Sequence, residues 1–161
     1  EYAAGALGGT LKENPAFYNT LKKWTKDSSE NIRRGVVLSA AALRDRNDPA
    51  KLKKAFALFE PLMYDSSVYV KKNLGPFILG SYYGNNMPEV VAAFLKKMLK
   101  VKNENVKWNI AMAFNNSFGN NHPQLARELL TVLSKDTSPV VQRAVKSTIN
   151  HLRKRHPGFK V

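Results

Sequence analysis

The sequence predicts an all-α fold, a right-handed α-solenoid of about four and a half two-helix repeats, and three observations carry that prediction. A short signature recurs four times, as Asn31-Ile32-Arg33-Arg34-Gly35, Tyr69-Val70-Lys71-Lys72-Asn73, Asn105-Val106-Lys107-Trp108-Asn109 and Val140-Val141-Gln142-Arg143-Ala144. Its β-branched residues at 32, 70, 106 and 141 are separated by 38, 36 and 35 residues, a period typical of stacked helical units. Each is followed 16 to 18 residues later by a proline, at Pro49, Pro88, Pro123 and Pro157. Nowhere does the period-two alternation of a strand compete with the helical spacing.

The elements follow in order. Pro15 fits the same frame, so the residues before it read as the remainder of a second helix whose start precedes Glu1. The whole of 1–161 is then one repeat domain within a longer array, with frames of about 1–14 (partial), 15–48, 49–87, 88–122 and 123–156. Within a frame the first helix opens at proline, whose missing N–H is harmless in a first turn. Pro88 to Leu99 shows its face, apolar at 91, 94, 95, 98 and 99. The second helix follows the basic signature; Val106 to Phe118 is apolar at 106, 110, 113, 114 and 118. Stops are expected at Gly84-Asn85-Asn86-Met87-Pro88 and Gly119-Asn120-Asn121-His122-Pro123, with glycine taking the left-handed conformation. Starts are expected at Asp65-Ser66-Ser67 and Thr137-Ser138-Pro139.

A unit of this size with two helices cannot bury its apolar faces alone, so neighbours must stack. A tetratricopeptide array has a similar period. The Asp27 to Arg33 and Asp65 to Lys71 spacings, six residues across the turn into the second helix, fit the HEAT pattern better, and Asp136 to Gln142 repeats the spacing without the charge. In such arrays the acid and the base commonly form a ladder between repeats, which competes for Arg33 and Lys71.

Composition narrows the function. The 161 residues contain no cysteine, which removes disulfides, thiolate nucleophiles and cysteine metal sites. His122, His151 and His156 show no ligand-like clustering, and neither metal nor cofactor is expected. No stretch approaches the roughly 20 mainly apolar residues of a membrane span, and no secretory leader is read at the N-terminus; the expected compartment is cytoplasmic. Lys and Arg number 26 against 12 Asp and Glu, a formal charge of +14, which points to a polyanionic partner.

Two adjacent cations at a helix start oppose the helix dipole, so an external anion is their expected purpose. Stacked second helices would line up Arg33, Arg34, Lys71, Lys72, Lys107 and Arg143 as phosphate contacts, with Lys146 and then Arg153, Lys154 and Arg155 extending the charge. Trp108 takes the place of Arg34, Lys72 and Arg143 in its own repeat and is the candidate for base stacking. Asn73, Asn109, Asn115 and Asn116 are further candidates for phosphate hydrogen bonds. Carboxylates three apart occur as Asp27 with Glu30 and Asp45 with Asp48, at helix boundaries where capping explains them. No Ser/His/Asp order, phosphate loop or zinc motif is present.

The chain resembles the bacterial HEAT-like alkylpurine DNA glycosylases of the AlkC/AlkD type and their non-catalytic relatives. The likeness rests on Trp24-Thr25-Lys26-Asp27-Ser28-Ser29-Glu30-Asn31-Ile32-Arg33-Arg34-Gly35-Val36-Val37, on Val70-Lys71-Lys72-Asn73-Leu74-Gly75, and on Asn86-Met87-Pro88-Glu89-Val90-Val91, with Leu7-Gly8 and Pro15 in place. The resemblance implies a concave surface that holds the DNA backbone in a repair context. It also implies excision assisted by an aspartate, an arginine and two tryptophans. Arg34 matches the arginine, while the aspartate's place falls before Glu1, Pro76 stands at a tryptophan's place and Gly80 at a following arginine's. The function expected from the residues is therefore DNA binding, and glycosylase activity rests on the resemblance alone. Duplex DNA is the first expected partner, a non-enzymatic scaffold role toward an acidic protein the alternative, and RNA the third.

Overall fold

In the computed structural model, which describes residues 2–14 and 16–161, the protein is all-α, with ten α-helices and no strand among the described residues. Pro15, the expected opening of the first complete repeat, lies outside them. The chain divides into two compact units, one ending at Leu74 and the other running from Gly75 to Val161.

The first unit contains α1 (Tyr2–Glu13), α2 (Phe17–Trp24), α3 (Glu30–Ser39), α4 (Pro49–Leu62) and α5 (Val68–Lys72). A 3-10 turn, Ala40–Leu43, prolongs α3. Helix α4 starts where the sequence places it, with Pro49 in its first turn and the Asp48 carboxylate accepting from the Lys51 N–H at 3.0 Å. Its apolar residues at 52, 55, 58, 59 and 62 are buried. Helix α3 packs between α1 and α5, with Val36, Val37, Val70 and Leu74 wholly buried. Trp24 meets Phe17 edge-on, ring centres 5.7 Å apart.

The second unit contains α6 (Pro88–Leu99), α7 (Glu104–Ala113), α8 (Ser117–Asn121), α9 (Pro123–Leu133) and α10 (Pro139–Arg153). Prolines open α6, α9 and α10, whereas Pro157 sits in a turn. Helix α7 packs on α6, α9 and α10, around Val106, Ile110, Leu129, Leu130, Val141 and Leu152. The helix expected over Val106 to Phe118 is broken. Asn116 is extended, at φ −168° and ψ −164°. Its side chain accepts from the Phe118 N–H at 2.8 Å and donates to the carbonyls of Ala113 at 3.0 Å and Pro76 at 2.8 Å. An amide that satisfies the backbone this way replaces the helical bonds it interrupts.

The expected left-handed glycines are a second difference, since no described residue has a positive φ. Glycine is needed there for space. Asn73–Gly84 winds as a π-helix, and Gly75, Gly80 and Gly84, five and four residues apart, share one face of that wider coil. A Cβ on Gly75 would stand 2.9 Å from the Asn109 side chain, and one on Gly84 2.6 Å from the Phe118 ring. On Gly80 it would overlap Asn116 and the Ala113 carbonyl, and on Gly119 the Phe114 carbonyl.

Candidate phosphate-contacting surface

The four basic signatures occupy one register on four helices. The N-caps of α3, α5, α7 and α10 are Ser29, Ser67, Asn103 and Ser138, each three residues before the β-branched position. The cations are thus at the fourth and fifth helical residues, one turn further in than the sequence suggests. The N–H groups of Arg33, Lys71, Lys107 and Gln142 are already bonded to the N-cap carbonyls, at 3.0 to 3.1 Å. Glu30 and Glu104 hold the first turns of α3 and α7, as the dipole favours.

At the fourth position the charge is consumed internally. Arg33 spends four of its five N–H donors: Nε reaches Asp65 Oδ2 at 2.5 Å, Nη2 reaches Asp65 Oδ1 at 3.2 Å, and Nη1 reaches the carbonyls of Asp27 and Ser28 at 2.7 and 3.0 Å. The Asp65 hydrogen bond, opposed by burial, raises the Arg33 pKa above its ordinary value. Lys71 is 9% exposed and already partnered. Lys107 pairs with Asp136. That ammonium and the Ser138 N–H hold the Asp136 carboxyl below the ordinary carboxylate range. Gln142 donates to the carbonyls of Asp136 at 2.5 Å and Ser134 at 2.8 Å, so it repeats the backbone half of the Arg33 arrangement. A second rail runs beside the first: Ser67 donates to Glu30 at 2.5 Å and Ser138 to Glu104 at 2.7 Å. Sequence reasoning missed this rail, although a serine two residues after each aspartate and a glutamate after the N-cap were there to be seen.

The fifth position differs. Arg34 is half-buried, and its Nε is buried without a hydrogen-bond partner. Lys72 and Arg143 are exposed, and no ion pair ties either to an acidic group among the described residues. Helix α3 packs on α5, and Arg34 and Lys72 hold the same register position on these adjacent helices. In the second unit α7 packs on α10, and the half-buried, partnered Trp108 holds the register position that Arg143 holds on α10. Helix α10 carries the charge onward. Arg143, Lys146, Ser147, Asn150 and Arg153 are all exposed at the spacing of one helical face, and no Asp or Glu occurs from Thr137 to the end.

The amides mostly work inside the fold. Asn109 donates to Asn105 O at 3.0 Å, Asn115 to Ser147 at 3.3 Å, and Asn73 to Tyr69 O at 2.7 Å. His151 and His156 both meet Asn120, at 3.2 and 3.0 Å. No group of three potential metal ligands occurs among the described residues, and no described helix is long and apolar enough to cross a membrane. The first unit also has an open cleft of about 540 Å3 between Leu11, Tyr18, Leu43 and Lys54. Its three cations are occupied: Lys51 by Asp45 at 3.1 Å and Asp48 at 3.5 Å, Lys54 over the Tyr18 ring, and Arg44 by a further interaction.

No family model, curated protein or solved structure matches the chain. Beside the internally neutralised pairs, the exposed Lys72 and Arg143 have a chemistry suited to oxyanions.

Proposed function

We propose that the protein is a HEAT-like α-solenoid that binds duplex DNA through its phosphates. Arg34 and Lys72 in the first unit, and Arg143 with Lys146 along α10 in the second, are the principal contacts. The observation that carries this reading is the contrast between adjacent positions. Arg33 is neutralised by Asp65 and Lys71 is 9% exposed and already partnered, while Lys72, one residue after Lys71, and Arg143 at the same register on α10 are exposed without an acidic partner among the described residues, in a chain of charge +14. A solvated cation beside an internal ladder costs little, but its recurrence at one register is what phosphate contacts require. Arg33, Lys71 and Lys107 then act as framework, and Trp108 holds the same register on α7 as Arg143 on the neighbouring α10. The likeness to alkylation repair proteins adds a repair context; the proposal is of binding and assigns no chemistry.

Fluorescence anisotropy of a labelled 20-base-pair duplex over a range of salt tests it. Four contacts predict a log–log slope of about −3.6, at roughly −0.9 per phosphate neutralised. Lys72→Ala or Arg143→Ala should each reduce the slope by about 0.9 and weaken unrelated DNA sequences equally. Absence of binding at low salt would reject the proposal, and salt-resistant binding of an acidic peptide would replace it with the scaffold reading.

A further inference from the structure

We infer that Tyr69, with Lys72 beside it, is a stacking platform for an unpaired nucleotide. The inference rests on the nucleic-acid reading above and names the form of nucleic acid that this part of the surface prefers.

Tyr69 is 60% exposed, more than any other exposed large hydrophobic residue described. It stands at the second residue of α5, a place occupied in the other three repeats by Asn31, Asn105 and Val140. Helix α5 turns Val70 and Lys71 inward and Val68, Tyr69 and Lys72 outward. Three residues apart, Tyr69 and Lys72 lie on one helical face. Below them Asn73 donates to the Tyr69 carbonyl at 2.7 Å, which fixes the backbone that presents the ring. The half-buried Arg34, at the same register position on the neighbouring α3, supplies a second cation. An exposed ring with the exposed Lys72 ammonium on the same helical face matches a ligand that is both planar and anionic.

An intact duplex offers phosphates, but its base faces are covered by stacking. An unpaired nucleotide offers both groups at once, and an aromatic ring beside a cation is how single strands are held without sequence preference. In this arrangement Lys72 and Arg34 take the phosphates and the Tyr69 ring takes the base.

Anisotropy with two labelled probes tests the inference: a 20-base-pair duplex, and the same duplex with a central four-nucleotide single-stranded gap. The parent protein should bind the gapped probe about tenfold more tightly. Tyr69→Ala should remove that preference and leave affinity for the intact duplex unchanged, Tyr69→Phe should keep it, and Lys72→Ala should weaken both probes. Equal binding of the two probes by the parent, or a preference that survives in Tyr69→Ala, would overturn the inference and leave the duplex reading standing. Failure to bind either probe would overturn both.

Discussion

Arg33 in α3 and Asp65, 32 residues later in the turn before α5, form a two-pronged ion pair, with Nε to Oδ2 at 2.5 Å and Nη2 to Oδ1 at 3.2 Å. The two side chains are only 18% and 5% exposed. Lys107 and Asp136 repeat the pairing in the other unit. The pairs tie the start of one second helix to the start of the next and thereby decide which basic residues remain for a ligand.

Removal of Arg33 should therefore harm the fold more than the binding. Arg33→Ala leaves a buried carboxylate without its partner and is expected to lower stability by about 2–4 kcal/mol, read from the urea midpoint. Its salt slope for DNA should match the parent's. A slope reduced by a full contact would show that Arg33 reaches phosphate after all.

The Asp136 carboxyl should give the fold an acid-sensitive component. Its folded pKa is lowered, chiefly by the Lys107 hydrogen bond and next by the Ser138 N–H. Such a group contributes its full stabilisation above the unfolded value, about 3.9, and loses it as pH falls through the lower folded value. Urea unfolding between pH 5 and pH 2 should show that decline. Asp136→Asn, which keeps an oxygen for the Ser138 N–H, should be less stable at pH 7 and decline less on acidification.

Glycines with the same backbone sign should differ sharply. Gly80→Ala forces a methyl group into Asn116 and the Ala113 carbonyl and is expected to cost about 3 kcal/mol. At Gly9, within α1, a Cβ meets nothing within 4 Å, so Gly9→Ala should stabilise by about 0.5–1 kcal/mol through helix propensity. Thermal melts of the two variants decide the point, and equal shifts would contradict the packing argument.

Arg34 should separate stability from binding. Its Nε is buried without a partner, and an unsatisfied buried donor costs about 1–3 kcal/mol. Arg34→Met keeps the length of the side chain and removes that cost, so the melting temperature should hold or rise while affinity for DNA falls. A large loss of stability would mean that the guanidinium serves the fold instead.

The sequence by itself determined the helical class, the register of four second helices and the proline openings of α4, α6 and α9. Those features rest on spacing along the chain, on the missing proline N–H and on the alignment of Val70, Val106 and Val141 with the core, all local or periodic properties. Only the tertiary structure decided what each neighbour in the pattern does. Arg33 and Arg34 are identical in type and adjacent, yet about 100° of helical rotation separates them, and only Arg33 faces the aspartate that the next turn brings alongside. Asn116 broke an otherwise continuous apolar period because its amide found the Pro76 carbonyl, 40 residues away in sequence. The glycines at 84 and 119 read as turn signals in one dimension, and in three they, like Gly80, are the places where a Cβ would meet a neighbouring chain segment too closely.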